Sequence, residues 1–166
     1  GPYFLYFNFM EVHEWGSTNI TTNLLRKEYN GLFQPGDDYT RYLQMVRQVT
    51  DDVGAFVDRI TALPGWEDTW FVIVSDHGEG LNDHTNVPMS LNHGLTVYEP
   101  EARVPWIIYR KGWTPARQVI AQEVRLMDVT PTLLDLIGTG PAPGAQGISM
   151  KPLIDGAASL VSLPRY

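Results

Sequence analysis

A chain of 166 residues, 43% hydrophobic and 19% charged, has the balance of one globular domain able to hide roughly two-thirds of its unfolded surface. Its net charge of −7, with no run of Lys or Arg, argues against a nucleic-acid backbone as the main partner, because neutralising phosphates needs clustered cations. The absence of cysteine excludes disulfides and thiolate metal sites, and no stretch approaches the roughly 18 continuous apolar residues of a membrane helix.

The chain opens on Gly1-Pro2-Tyr3 without a start methionine and passes at once into an apolar stretch, so it reads as a piece of something longer. Tyr3 to Phe9 (YFLYFNF) has the composition of a buried strand, which would deliver Met10, Glu11, Val12 and His13 to its C-terminal end. Residues 14 to 37, rich in Asn, Thr and Gly, read as an excursion. From Asp38 to Leu63 the apolar positions Tyr42, Met45, Val46, Val49, Val53, Phe56, Val57, Ile60 and Leu63 recur at helical spacing. Asp37 or Asp38 would cap this amphipathic helix, and Pro64-Gly65 would stop it.

Trp70 to Val74 is a short unbroken apolar run, the pattern of a strand covered on both faces, so strand, helix and strand predict a parallel βαβ unit. Ligands of such sheets gather at the carboxyl ends of the strands, where His13 and Asp76-His77 both fall. A loop from Gly78 to Arg103 leads to another predicted buried strand, Val104 to Tyr109. Thr130-Pro131 is expected to cap a short helix, TLLDLI, that stops at Gly138, and Pro141 to Gly147 reads as a turn-rich loop. No repeat, linker or second domain is evident, so residues 1–166 are expected to form part of a single domain.

The four histidines, His13, His77, His84 and His93, all fall at predicted strand ends or in the loop after Trp70 to Val74, and none lies on the long helix. Asp76 and His77 present an oxygen and an imidazole from adjacent positions after a strand, with Gly78 allowing a tight backbone there. Such a pair suits a divalent cation, and equally an ordinary turn in which Asp76 bonds its own backbone amides.

SDHGE at 75 to 79, then L-N-D-H, NHG at 92 to 94, YE at 98 to 99 and RVP at 103 to 105 resemble the C-terminal half of a sulfatase of the alkaline phosphatase superfamily. PYFLYFNFMEVHEW upstream is similar to that family's strand ending in Met-Asp-Pro-His, and DVTPTLLDLIG and GISMKPLI downstream are similar to its closing motifs. The resemblance implies an α/β fold, an alkaline-phosphatase-like sandwich with a largely parallel central sheet, present here as its C-terminal part. It further implies that Asp76 and His77 bind the active-site cation, with Ca2+ the first expectation and Mg2+, Mn2+ or Zn2+ as alternatives. His13 and His93 match the residues that contact the transferring group and the leaving oxygen. His84 lies in a Gly-(Asp/Glu)-His position, as a substrate contact or a loop histidine, and Glu79 is expected to order the loop. Two features depart from the pattern: Glu11-Val12 stands where Asp-Pro is usual, and His84 to His93 is a longer spacing than in many members.

The family cleaves sulfate or phosphate esters by in-line attack of a metal-held side chain, with histidines moving the leaving-group proton. Its nucleophile, a Cys or Ser in Cys/Ser-x-Pro-x-Arg converted to formylglycine in sulfatases, has no counterpart in this chain. Thr114-Pro115-Ala116-Arg117 puts its proline one place early. The nucleophile is therefore expected upstream, and these 166 residues alone are expected to be inactive. The expected substrate is a small-molecule or glycan sulfate ester. The competing readings are a phosphodiesterase or a phosphoethanolamine or phosphoglycerol transferase of the same superfamily, and a non-catalytic relative.

Overall fold

The structure, a computed structural model, describes residues 3–16, 38–81, 83, 93–113 and 118–157. It divides into two compact units, Gly1–Trp113 and Thr114–Tyr166, each described here by itself.

Helix α1 (Asp38–Thr61) organises the first unit. Its apolar stripe repeats every three to four residues, as expected, and Met45 is almost wholly buried. The flanks are reinforced by an Arg47 to Asp51 ion pair at 3.0 Å and by Thr50 Oγ1 donating to the Val46 carbonyl. At the C-terminus the coil tightens, with Leu63 N bonded to the Ile60 carbonyl. Pro64 follows, and Gly65 takes a left-handed φ of +86°, so the predicted stop stands. The Lys111 ammonium donates to the Thr61 carbonyl, satisfying one of the last helical acceptors with a cation. The predicted Asp37 cap lies outside the described residues.

The segment expected as a first strand does not form one. Tyr3 to Phe9 runs extended along α1 in the opposite direction, with Tyr3 against Trp66, Phe7 edge-on to Phe56 and, further on, Trp15 edge-on to Tyr42. Tyr3, Phe4 and Tyr6 are largely exposed. An apolar run becomes a strand only where a neighbouring ladder accepts its amides, and among the described residues no strand pairs with this one.

The predicted parallel βαβ unit is likewise not what these residues build. β1 (Phe71–Val74) pairs antiparallel with β2 (Trp106–Tyr109), in a register that sets Phe71 opposite Tyr109 and Val74 opposite Trp106. Both strands were expected, but not their direction, and Val74 and Ile107 keep an exposed face rather than being covered on both sides. The pair is anchored at one end by Trp70 packed edge-on against Trp113, with Arg110 over the Trp70 ring and bonded to Asp68 at 2.5 Å. At its other end, the C-terminal end of β1, stand Asp76 and His77. Among its described residues, the long connection back to β2 contains a short helix, α2 (Glu99–Ala102), inside the stretch expected to be loop.

In the second unit a 3₁₀ turn (Leu126–Asp128) leads into α3 (Val129–Leu136). Thr130 and Pro131 lie in the first turn of α3 instead of capping it, and the N-cap position falls to Asp128, whose side chain makes no bond to the helix amides. Its buried carboxylate accepts from the Arg125 amide and guanidinium and from the Ile148 amide. Thr132 Oγ1 donates to the Asp128 carbonyl and accepts from the Met150 amide, so the DVT stretch and the GISM stretch are tied by two fully buried polar residues. Gly138, at φ +73°, ends α3 as expected. A last turn, α4 (Lys151–Ile154), buries Leu153 and carries a Lys151 to Asp155 ion pair.

Candidate active site

The turn at 11–16, closed by Glu14 N to Met10 O and Trp15 N to Val12 O, carries His13. His13 is thus presented by a turn, not by a strand end. β1 ends at Val74, and the chain leaves the sheet through Ser75, whose hydroxyl donates to the His77 carbonyl at 2.6 Å. His77 N donates to Asp76 Oδ1 at 3.0 Å, so the carboxylate does bond a neighbouring amide, the arrangement of an ordinary turn. That contact leaves lone pairs on a side chain that is 88% exposed.

His77 Nδ1 lies 2.7 Å from the Gly78 carbonyl. A carbonyl only accepts, so Nδ1 carries the proton and Nε2 keeps its lone pair outward. A backbone acceptor on the far ring nitrogen is the usual support of a metal-ligating histidine. Nε2 stands 3.8 Å from Asp76 Oδ1. Two donors to one cation at about 2.0–2.4 Å each lie about 3–4 Å apart, so Asp76 and His77 fit a shared divalent cation. Among the described residues no group of three or more potential ligands converges on one point. The pair is a partial donor set.

Gly78 has no tolerance for a side chain. Its amide donates to the Glu101 carbonyl at 2.7 Å, and a Cβ there would stand 2.0 Å from the Pro100 oxygen. α2 is thereby locked against the backbone just beyond His77. The chain then turns through Leu81, which holds a left-handed φ of +46° at a cost of about 1–2 kcal/mol.

His93 sits where these segments meet. Its ring stacks on that of His77 with centroids 3.9 Å apart and 26° between planes, and meets the His13 ring edge-on at 5.6 Å. Behind it lies Glu79, 9% exposed, whose carboxylate receives His93 Nδ1 at 3.3 Å and the Trp15 indole N–H at 3.0 Å. The acceptor-only carboxylate puts the proton of His93 on Nδ1, leaving Nε2 for whatever occupies the site. Burial, with the negative charge of Glu79 adding to it, pushes the Tyr42 phenol above its ordinary pKa, so this hydroxyl stays protonated in the wall of the site.

Of the six residues singled out in the sequence, the structure gathers Asp76, His77, Glu79, His93 and His13 into one cluster, and His84 lies outside the described residues. Glu79 was expected to order the loop, and its geometry is that of a carboxylate orienting an imidazole. Trp15, Tyr42 and Glu101 belong to the same region and were not anticipated. Trp15 follows His13 by two residues, and a buried Trp whose N–H needs an acceptor could have been matched to Glu79.

The fold is one known from other proteins. A phosphonate monoester hydrolase from Silicibacter pomeroyi superposes on 77% of this chain with a TM-score of 0.63 at 26% identity, the chain covering 25% of that structure. The chain therefore has the alkaline-phosphatase-like α/β fold, of which the described residues form a mixed α/β portion with a small sheet. In sequence, an arylsulfatase from Clostridium perfringens is 30% identical over 117 residues, which make up 69% of this chain and 23% of that protein. Human arylsulfatase D is 30% identical over 169 aligned residues, 95% of this chain and 26% of its own length. A choline-sulfatase from Rhizobium meliloti is 30% identical over 69% of the chain and 22% of its own length. The sequence model of the sulfatase family matches residues 1–139, and the chain belongs to that family. It spans about a quarter of the length of the relatives it matches.

Proposed function

We propose that the protein to which this chain belongs hydrolyses sulfate esters, and that the chain supplies half of a cation site and the histidines that face the transferring group. The observation that carries this reading is the contact of three imidazoles, His13, His93 and His77, beside Asp76 at the end of β1, with Glu79 buried behind them. A hydrogen-bonded scaffold histidine needs no such company.

The hydrogen bonds support the roles that the family resemblance suggests. Asp76 and His77 Nε2 hold a divalent cation. Ca2+ is the first choice and Mg2+, Mn2+ or Zn2+ the alternatives, because a mixed oxygen and imidazole set admits all of them. When bound, the cation supplies positive charge against the anion that is transferred. His93, held through Nδ1 by the buried Glu79 carboxylate, turns Nε2 toward the leaving oxygen to move its proton. His13, about half exposed, faces the same group from the turn at 11–16. The nucleophile, a formylglycine in this reading, and the remaining metal carboxylates lie upstream, in the same catalytic domain.

A second reading, hydrolysis of phosphate or phosphonate esters, is favoured by the likeness to the phosphonate monoester hydrolase. Both are tested on the intact protein with aryl sulfates and aryl phosphodiesters of graded leaving-group pKa. Asp76→Ala and His77→Ala should lose the cation and the activity, and His93→Ala should lower kcat by about 10²- to 10⁴-fold toward poor leaving groups. Folded Asp76→Ala and His77→Ala proteins that keep stoichiometric metal and full turnover would sink the assignment. A higher kcat/KM for phosphodiesters than for sulfates would transfer it to the second reading.

A further inference from the structure

Glu101 bonds to the backbone beside both stacked histidines. Through its main-chain carbonyl it accepts the Gly78 amide at 2.7 Å, one residue after His77. Its carboxylate accepts the Gly94 amide at 3.2 Å, one residue after His93, and the Thr96 hydroxyl. The side chain is buried to 8% exposure, although it lies in the charged stretch YEPEAR on a helix of four residues. A glutamate in such a stretch ordinarily faces water. Here both carboxylate oxygens are turned inward and engaged, one by the amide and one by the hydroxyl.

The arrangement does more than close a turn. The loop carrying His93 has no ladder to hold it, since residues 93–98 belong to no helix or strand. Its position relative to β1 is set by what it bonds to. Glu101 bonds to both sides, so among the described residues it joins the backbones that carry His77 and His93, whose rings stack at 3.9 Å. Glu79 sets the rotation of the His93 ring, and Glu101 sets where the ring stands.

We propose that Glu101 is a positioning residue for the ester-cleaving site, acting through the 93–96 turn on His93. The inference rests on the role given to His93 above. Removing the carboxylate frees the turn while leaving Asp76, His77 and the substrate's cation contacts in place. A shift of about 1 Å in a proton donor costs on the order of 10²-fold in rate.

In the intact protein, Glu101→Ala should lower kcat toward an aryl sulfate with a poor leaving group by about 10- to 100-fold, with KM and metal stoichiometry changed by less than about twofold. Glu101→Gln, which keeps an acceptor and the shape, should recover most of that loss. Thr96→Val, which removes one of the two donors and serves should Glu101→Ala not fold, should show a smaller loss in the same sense. In a His93→Ala background Glu101→Ala should add less than about twofold, because the two changes remove one contribution. The ring proton resonances of His93, shifted by the stacked His77 ring, should move in Glu101→Ala. An unchanged kcat in Glu101→Ala beside an impaired His93→Ala, or fully additive losses in the double variant, overturns the inference. If His93→Ala proves harmless, the role of His93 fails, and the resonances decide alone: moved, they uphold the positioning, and unmoved, they refute it.

Discussion

Replacing Gly78 by alanine probes the junction on which the site depends. The new Cβ would stand 2.0 Å from the Pro100 oxygen, 3.0 Å from the Pro100 carbonyl carbon and 3.3 Å from Glu101 Cα. All three atoms are backbone, so no flexible side chain can give way. Restoring an ordinary contact near 3.4 Å requires the β1 exit and α2 to separate by about 1.4 Å. That separation also breaks the Gly78 to Glu101 hydrogen bond. Overpacking of this kind costs about 1–3 kcal/mol and the lost bond about 0.5–1.5 kcal/mol, together about 1.5–4.5 kcal/mol. Because the backbone shift is larger than the tolerance of a catalytic geometry, kcat should fall by about 100-fold or more in the protein that remains folded. Gly147→Ala is the matched control. Its Cβ would meet the Met127 oxygen at 1.9 Å, an equal clash, but in the second unit, which contains none of the proposed site residues. Denaturant unfolding and steady-state kinetics of both variants in the intact protein decide the matter. Both should be destabilised alike, and Gly78→Ala alone should lose kcat. A Gly78→Ala protein with unchanged stability and turnover would refute the lock, and an equal loss of kcat in Gly147→Ala would show the effect to be general destabilisation.

Two further outcomes follow from buried polar contacts. Trp15→Phe withdraws the indole N–H from the buried Glu79 carboxylate, and should cost about 1–3 kcal/mol in denaturant unfolding, with His93 left as the principal partner of that acid. For Asp128, burial alone would raise the carboxyl pKa, but the Arg125 guanidinium and the Ile148 and Arg125 amides outweigh it and hold it below its ordinary 3.8. Its stabilisation is therefore complete above pH 3.8 and fades as pH falls through the lower folded value. The Tm penalty of Asp128→Asn should accordingly be large at pH 6 and shrink toward pH 3, and a penalty independent of pH would contradict the charge-based account.

What could be read in advance depended on how local the determining force is. The α1 stripe and its Pro64-Gly65 stop are written in spacing and backbone geometry, so the helix was found within two residues of its end. The β1 and β2 runs were visible for a similar reason, as short apolar segments bounded by turn residues. Their antiparallel pairing was not, because apolar composition reports a capacity for burial and is silent on which strand provides the ladder. The same gap misplaced Tyr3 to Phe9, where α1 and Trp66, and no strand, are the neighbours. The SDHGE turn was legible as a candidate metal pair through its resemblance to a family motif, because adjacent donors after a strand suit an ordinary turn equally well and the turn bond from the His77 amide to Asp76 is present. The Thr130-Pro131 cap failed because α3 begins one residue earlier, at Val129, after the 3₁₀ turn that ends in Asp128, whose buried carboxylate is engaged by Arg125 and by Ile148, 20 residues away.

The acids that support the histidines show where local reading ends. Glu79 and Glu101 are both buried in a chain of net charge −7, where an acidic residue is ordinarily solvated. Nothing in the residues beside Glu101 distinguishes it from Glu99, which is exposed and pairs with Arg103 one helical turn on. The difference arises only when the 93–96 turn folds back and offers an amide and a hydroxyl to one of the two carboxylates. A buried acid with donors on every side is stable, whereas the same acid without them would cost several kcal/mol. The turn and the glutamate therefore order each other. His93 inherits its position from that mutual dependence, while Asp76 and His77 take theirs from the adjacent end of β1. The two halves of the cluster are in this way held by different physics, a strand end on one side and a buried carboxylate on the other. Their separation should therefore respond to a change at Glu101 that leaves Asp76 and His77 in place.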